Sequence, residues 1–161
     1  MTDFPSPNRA AYPVIIPMTT RWNDNDVYGH MNNVIYYEYF DSAVNQWLSE
    51  SGTLPVPGGD LIGLVAETGC KYLHGVGYPE PLEIGLSTLR IGRSSVTYGL
   101  AMFKKGSCEA AAVCRFVHVY VGATSRRPEP LPDQMRENLT KIAIKPKIIA
   151  PNASLLSLSP R

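Results

Sequence analysis

The polar segment of residues 21–33, Arg-Trp-Asn-Asp-Asn-Asp-Val-Tyr-Gly-His-Met-Asn-Asn, constrains the fold more than any other part of this chain. It carries two aspartates, a histidine, a glycine and several asparagines, so it is too polar for a buried strand. An apolar extended segment, residues 14–18, comes directly before it, and an amphipathic segment follows. The sequence therefore predicts a strand, a polar junction and a helix in that order.

The segment after the junction has the periodicity of a helix with one buried face. Its apolar residues recur every three or four positions, with polar residues between them: Tyr36, Tyr37, Phe40, Ala43, Val44, Trp47 and Leu48. Asn32 or Asn33 can cap the start of this helix, and Gly52 is placed to end it. The strand before the junction is predicted over residues 12–22.

From residue 61 onward the pattern is typical of strands and turns. Strands are predicted over residues 61–72, 82–91, 96–102 and 110–121, and the last is apolar on both faces, which favours an interior position. A short helix is predicted over 133–142. The expected fold class is α+β, with the order β-α-β-β-β-β and one long helix against an antiparallel sheet. We expect an N-terminal arm (1–13), a single domain (14–145) and a C-terminal tail (146–161).

Composition excludes several classes of function. The net charge of +1 gives no basic surface for nucleic acid or an anionic membrane. No apolar run approaches the roughly 20 residues that span a bilayer, and the N-terminus lacks the basic and apolar regions of a secretory signal. The three cysteines are odd in number and show no CxxC spacing, so we expect reduced thiols. A cytoplasmic protein without nucleic-acid or membrane partners is predicted.

Asp26 is the strongest candidate for a catalytic group. A helix start offers unpaired backbone N–H groups and the positive end of the helix dipole, which suit a developing oxyanion. A carboxylate beside such donors indicates acyl transfer. The alternative is a loop aspartate that only caps the helix, but that alternative leaves the crowding of Asp24, His30 and Asn33 in one turn unexplained. Asp24 is expected to hold the loop through hydrogen bonds.

Other familiar chemistries lack their motifs. His74 and His118 are distant from each other and from any cysteine pair, so no metal site is expected. No GxSxG elbow is present, which removes the usual serine-hydrolase route. Gly75-Val76-Gly77 begins like a nucleotide-binding loop, but Glu80 stands where the third glycine belongs. No cofactor is predicted.

The junction and the start of the helix together resemble a known signature, that of the 4-hydroxybenzoyl-CoA thioesterase branch of the hotdog-fold superfamily. The residues that carry it are Asp24, Asp26, Gly29, His30, Met31, Asn32, Asn33, Tyr36, Tyr39 and Phe40. The same segment resembles the D-x-D-x-x-x-H-x-N-N pattern of acyl-ACP thioesterases, and the similarity extends over about residues 14–121. It implies a sheet wrapped around one long helix, assembly as a homodimer or homotetramer, and thioester hydrolysis without metal or serine.

The resemblance also implies roles for individual residues. The second aspartate of the motif, Asp26 here, would be the catalytic carboxylate, either as a nucleophile or as a base for water. The backbone N–H at the helix start, that of Asn33, would polarise the thioester carbonyl. His30 matches a histidine of the acyl-ACP enzymes and of many bacterial relatives, and would position a reacting group.

Three more residues would bind substrate. Gly29 fits a point where the backbone turns or approaches a ligand closely. Tyr28 stands where the acyl-ACP pattern has a catalytic asparagine, which favours a CoA substrate over a carrier protein. Arg93, in the turn of residues 92–94, matches the place where the benzoyl-CoA branch puts basic residues near CoA phosphates.

The sequence thus favours an acyl-CoA thioesterase that releases a free acid and CoA. An acyl-ACP thioesterase is the first alternative. The second is a non-catalytic hotdog module that binds acyl-CoA, but such modules usually accompany another domain, for which this chain has no room. A hotdog dehydratase is the third, and its different, histidine-centred motif is not found here.

Overall fold

The chain forms a five-stranded antiparallel sheet with a long helix against one face and a short helix near one end. The structure is a computed structural model that describes residues 4–144. Its elements are β1 (Val14–Met18), α1 (Asn33–Glu50), β2 (Leu61–Tyr72), β3 (Leu82–Ile91), β4 (Ser95–Lys104), β5 (Ala112–Gly122) and α2 (Asp133–Lys141). The predicted tail, 146–161, lies outside the described residues.

Helix α1 begins and ends where capping chemistry predicts. The side chain of Asn32 accepts a hydrogen bond from the backbone N–H of Val34 at 3.3 Å, which satisfies one of the unpaired donors of the first turn. Gly52, with φ +69°, follows the last turn in the left-handed conformation that glycine adopts readily. The buried face of α1 is formed by Tyr36, Tyr39, Phe40, Ala43, Val44 and Leu48. The prediction differs at three positions, because Tyr37 and Trp47 are only partly buried and Tyr39 was not predicted to be buried.

The strands lie in the order β1-β3-β4-β5-β2, and every neighbouring pair is antiparallel. Strand β5 is therefore interior, as its apolar composition predicts, while β1 and β2 are the edges. Side chains along β4 alternate between two apolar clusters. Leu100 and Met102 face α1, whereas Ala101 and Phe103 face the N-terminal arm, whose Tyr12 packs edge-on against Phe103.

The first strand is shorter than predicted, which corrects the expected range of 12–22. β1 ends at Met18, and residues Trp22–Asp24 form a single 3-10 turn in which the Asp24 N–H donates to the Arg21 carbonyl at 3.0 Å. The Asp24 side chain accepts from the Arg21 backbone N–H at 2.8 Å, so this local bond competes with strand pairing. Smaller differences affect the last strand, which begins at Ala112, and the last helix, which ends at Lys141.

The observed order β-α-β-β-β-β, with one long helix against the sheet, is that of the hotdog fold. The predicted fold class is therefore confirmed. The two edges differ in length and exposure. β2 is the long edge, and Leu64 and Val65 on it are 42% and 50% exposed beside a bulge between Val65 and Glu67.

Candidate active site

The polar junction is anchored from inside by Asp24. This aspartate is fully buried, and it accepts hydrogen bonds from the Arg21 guanidinium at 3.1 Å and from the Tyr39 hydroxyl. Its backbone carbonyl accepts from the Asn32 N–H at 2.8 Å, immediately before the start of α1. The bonds tie the junction to the helix, which is the holding role expected for Asp24.

Asp26 lies two residues further on and faces a different environment. Its side chain is half-buried, and its Oδ1 accepts a hydrogen bond from the backbone N–H of Tyr28 at 2.8 Å. The Asp26 N–H donates to the His30 carbonyl at 3.0 Å, which closes a tight turn. Gly29 sits in that turn with φ +84°, where a side chain would be strained. The turn fixes the carboxylate in place while leaving it open to solvent.

A cleft of about 590 Å³ opens beside Asp26, within the size range of small-molecule sites. The first residue of α1, Asn33, lines it together with Asp26, so a carboxylate and a helix start face one space. Its walls are Asp26, Tyr28, Met31, Asn33, Tyr36, Tyr72, Leu73, His74 and Gly75. We call this space the main cleft.

An aromatic wall closes one side of the main cleft. Tyr36 and Tyr72 pack edge to face with ring centroids 4.9 Å apart, and the Tyr72 hydroxyl donates to the Asn33 carbonyl at 3.1 Å. Burial, together with the neighbouring Cys70 and Tyr37 side chains, raises the pKa of Tyr72 far above its ordinary value. The phenol is therefore neutral at pH 7 and serves as a donor that holds the first turn of α1.

Of the remaining predicted site residues, three lie at or beside the main cleft and one lies far from it. Tyr28 lines the main cleft and is 85% exposed, and Gly29 and His30 lie in the turn beside it. Within one chain, Arg93 lies far from the main cleft. It is in the β3–β4 turn, where the neighbouring Ser94 carbonyl accepts from the Tyr120 N–H at 2.7 Å, and Tyr120 pairs with Gly63 of β2.

The separation of Arg93 from the cleft is large. Gly63 is nine strand residues from Tyr72, a span of about 30 Å. Arg93 is thus at the opposite end of β2 from the main cleft in this chain, and it does not line that cleft.

The segment of residues 73–77 is a part of the site that the sequence did not reveal. Val76 accepts a hydrogen bond from the Met31 N–H at 2.7 Å, which brings this segment against the polar junction. A Cβ atom on Gly75 would overlap the His30 ring, and one on Gly77 would lie 2.7 Å from Asn25 Oδ1. The Gly-x-Gly spacing of residues 75–77 could have indicated this contact, because paired glycines occur where backbone approaches another group closely as well as where phosphate binds.

Residues 4–144 lack a metal-binding cluster and a membrane-spanning helix. No group of three or more His, Cys, Asp or Glu side chains in that range is arranged to hold a metal ion. Within the same residues, no helix has the length and apolar character needed to cross a membrane.

Comparison with known families identifies the superfamily of this chain. The family model of the Thioesterase-like superfamily matches residues 20–139, which include the polar junction, α1, all strands after β1 and most of α2. The chain belongs to this superfamily. Membership supports thioester hydrolysis as the class of reaction.

Two solved structures show how far the similarity reaches. The PA5185 protein of Pseudomonas aeruginosa strain PAO1 is 47% identical, with a TM-score of 0.84 over 88% of this chain and 99% of that one. A thioesterase from Thermus thermophilus, solved with coenzyme A and Zn, is 26% identical, with a TM-score of 0.68 over 84% of this chain and 98% of that one.

A curated sequence matches over a shorter segment. YsmA, an uncharacterized protein of Bacillus subtilis strain 168, is 30% identical over 80 residues. That segment is 50% of this chain and 54% of YsmA, so the match spans about half of the relative's length.

Proposed function

We propose that this protein is an acyl-CoA thioesterase that hydrolyses an acyl-CoA to a free acid and CoA. The observation that carries the proposal is the pairing of the Asp26 carboxylate with the start of α1 at Asn33 in one solvent-open cleft. The Thermus thioesterase with bound coenzyme A supports a CoA thioester as the substrate. Tyr28, at the position where acyl-ACP enzymes carry asparagine, supports the same choice.

In the proposed mechanism, the thioester carbonyl oxygen points to the backbone N–H of Asn33. Negative charge develops on this oxygen in the transition state, and the N–H together with the positive end of α1 stabilises it. Asp26 either removes a proton from the attacking water or attacks the carbonyl carbon itself. The carbon–sulfur bond then breaks, and CoA leaves as a thiolate that takes up a proton. His30 positions a reacting group beside the turn.

An isotope experiment detects attack by the Asp26 carboxylate. In a single turnover in ¹⁸O-labelled water, direct attack by water places the label in the released acid. Attack by Asp26 forms a mixed anhydride, and water that opens it at the aspartyl carbon leaves the label in Asp26. Label found by mass spectrometry in the peptide that contains Asp26 establishes attack by the carboxylate, because direct attack by water cannot place it there.

The substrate class is tested by a screen of short, medium, long and aromatic acyl-CoAs. The same acyl groups attached to an acyl carrier protein are assayed in parallel, with Asp26→Asn as the inactive control. We expect faster turnover of the CoA thioesters. Preference for carrier-protein thioesters would support the acyl-ACP alternative, and binding of acyl-CoA without hydrolysis would support the non-catalytic module.

We further propose a homodimer or homotetramer built on the exposed edge of β2. β2 is an edge strand of twelve residues whose outer side pairs with no other strand among residues 4–144, and with Leu64 and Val65 exposed it offers a surface for pairing with a second copy. Antiparallel pairing about a two-fold axis sets the Gly63 end of one β2 beside the Tyr72 end of the other. Arg93 of one copy would then approach the main cleft of the other, near the CoA phosphates.

The oligomeric state is directly measurable. Sedimentation at micromolar concentration should give at least a dimer, and Val65→Arg, which places a charge on the pairing edge, should shift the protein toward monomer. Thr140→Arg, an exposed change on α2, is the matched control and should leave the assembly intact. A fully active monomer would contradict the proposed assembly.

We also propose a cytoplasmic location. The cysteines Cys70, Cys108 and Cys114 are all free thiols in the structure. Reduced thiols are typical of a reducing compartment.

A further inference from the structure

Two of the three cysteines stand directly opposite each other on neighbouring strands. Cys70 of β2 pairs with Cys114 of β5, and the register of these strands is uninterrupted from Glu67 to Tyr72. Both side chains face the α1 side of the sheet, where Cys114 belongs to the buried core and Cys70 packs against it. We call these two thiols the cysteine pair.

The hydrogen-bond pattern of the two strands brings the cysteine pair close together. In an antiparallel ladder, hydrogen-bonded pairs of opposite residues alternate with non-hydrogen-bonded pairs. The Leu73 N–H donates to the Ala111 carbonyl at 2.8 Å, so these two residues, which continue the same register, occupy a hydrogen-bonded position. The cysteine pair lies three positions away and is therefore non-hydrogen-bonded, with Cα atoms about 4.5 Å apart. Disulfides join Cα atoms separated by roughly 4.4–6.8 Å, so the backbone already allows this bond.

The two thiols differ in reactivity. The Cys114 thiol lowers the pKa of Cys70, burial opposes this effect, and the Tyr72 hydroxyl adds to it. The pKa of Cys114 is instead raised far above its ordinary value by the Cys70 thiol and by burial. The thiolate is the reactive form of cysteine, and Cys70 is also the more exposed of the two. Cys70 is therefore the thiol that reacts first with an oxidant.

The cysteine pair lies behind the aromatic wall of the main cleft. Cys70 precedes Tyr72 by two residues, so the two side chains lie on the same face of β2. The Cys70 thiol is close enough to Tyr72 to add to the effect of burial on the pKa of that phenol. The Tyr72 hydroxyl in turn donates to the Asn33 carbonyl at the start of α1. A change at Cys70 can therefore reach the helix start that lines the cleft.

Assembly through β2 would leave the cysteine pair in place. Pairing with a second copy would use the backbone groups along the outer edge of β2, whereas Cys114 lies on β5, at the inner side of that strand. Both thiols face α1 rather than the edge. Hydrogen peroxide is little larger than water, so it needs only a narrow path to the partly buried Cys70.

We propose that Cys70 and Cys114 form a redox site, in which a peroxide converts the two thiols to a disulfide that joins β2 to β5 and loosens the aromatic wall of the main cleft. The Cys70 thiolate attacks one peroxide oxygen, which gives a sulfenic acid and releases hydroxide. The Cys114 sulfur then attacks the sulfenic sulfur, the S–O bond breaks, and the oxygen leaves as water. The two thiols lose two electrons and two protons in total, and the peroxide is reduced to two waters.

The disulfide acts on the cleft through Tyr72. It draws the Cys70 sulfur toward β5 and away from the Tyr72 ring, so Tyr72 holds the Asn33 carbonyl less firmly. Hydrogen exchange of the backbone amides in the first turn of α1 should become about 3-fold faster or more, as expected when one hydrogen bond is weakened.

Peptide mapping tests whether the bond forms. The protein is treated with hydrogen peroxide, its remaining thiols are alkylated, and it is digested with trypsin without reductant. The peptides that contain Cys70 and Cys114 should be joined, and dithiothreitol should separate them. Cys108→Ser is the matched control, because it removes the exposed thiol, leaves the cysteine pair, and should form the same bond. Separate peptides, with Cys70 still alkylated or oxidised beyond the sulfenic acid, overturn the proposal.

Two variants test the order of the steps. Cys114→Ala should stop the reaction at the Cys70 sulfenic acid, which dimedone traps for mass spectrometry. Cys70→Ala, at a partly buried position, should leave Cys114 as an unreacted thiol, and it tests the same order if Cys114→Ala folds poorly. Oxidation of Cys114 in the absence of Cys70 contradicts the assigned order.

Hydrogen exchange separates this proposal from the proposed function, because it requires no substrate. Faster exchange in the first turn of α1 of the oxidised protein, restored by dithiothreitol and absent from Cys70→Ala after the same treatment, supports the redox site even if no thioester is cleaved. Dithiothreitol does not restore oxidised methionine, so that effect of peroxide is distinguished. Unchanged exchange after complete disulfide formation overturns the proposed effect on the main cleft.

Discussion

The two halves of the polar junction have similar residues and opposite environments. Residues 21–24 are drawn into the protein by buried Asp24, whose oxygens are satisfied by Arg21 and Tyr39. Residues 26–30 form an open turn in which the Asp26 carboxylate accepts from one backbone N–H and faces the main cleft. The first half therefore uses its polar groups to hold the fold, whereas the second half leaves its carboxylate available for chemistry.

The largest expected effect is on the open half. Asp26→Asn removes the proposed base or nucleophile and should lower kcat by at least about 10²-fold. The change is nearly isosteric and the side chain is half-buried, so the free energy of unfolding should change little. Steady-state kinetics and thermal unfolding test the two statements. Asp60→Asn, at an exposed loop aspartate, is the control, and near-wild-type turnover by folded Asp26→Asn would refute the mechanism.

Asp24→Asn should show the reverse pattern. It removes the charge that pairs with Arg21, and we expect the free energy of unfolding to fall by about 1.5–3 kcal/mol, the contribution of hydrogen bonds to charged groups. The loss in kcat should stay well below that of Asp26→Asn. Urea unfolding measures the change in stability, with Asp133→Asn, an exposed change in the first turn of α2, as the control. If Asp24→Asn kept full stability but lost activity, Asp24 would be the catalytic aspartate and the assignment of the two halves would be wrong.

Gly75→Ala tests the contact between the open half and residues 73–77. The added Cβ would displace the His30 ring, which is exposed and free to move, so stability should be nearly unchanged. If His30 positions a reacting group, kcat/KM should fall by about 10-fold through misplacement. The double variant with His30→Ala should be no worse than His30→Ala alone. Additive losses would show that Gly75 acts independently of His30.

Arg93→Ala should have the smallest effect, because this residue lies outside both halves. If it contacts a CoA phosphate across the dimer, KM should rise about 3-fold while kcat is kept, as expected for an exposed charge pair. The increase should shrink at high salt and with a pantetheine thioester that lacks the nucleotide. Arg127→Ala is the matched control. An unchanged KM for acyl-CoA leaves Arg93 without a role in binding.

Most of the secondary structure followed from the sequence because the patterns are strong. The helix with its asparagine cap and final glycine, the strands Leu61–Tyr72 and Leu82–Ile91, and the interior place of the last strand were all predictable from periodicity and capping. The first strand was too long in the prediction. Its apolar pattern does not indicate that the Asp24 side chain accepts a hydrogen bond from the Arg21 N–H, which ends the extended segment.

The candidate site was only partly predictable. The local motif sufficed to select Asp26, Tyr28 and Asn33, which do line one cleft, because the three lie close together in the chain, at the junction and the first residue of the helix. The approach of His74 and Gly75 could not be inferred, since more than forty residues separate them from the junction. The position of Arg93 depends on the register of β3, β4 and β5 against β2, which no local pattern encodes.

The sequence by itself determined the strand, junction and helix order, the cap of α1 and the identity of the carboxylate beside the helix start. These depend on residues close together in the chain, where backbone hydrogen bonding and side-chain periodicity decide the outcome. The tertiary structure decided which aspartate is buried, which glycines allow two loops to meet, and that Cys70 stands opposite Cys114. Each of these depends on contacts between distant segments, whose burial and hydrogen bonding exist only once the sheet and helix have packed.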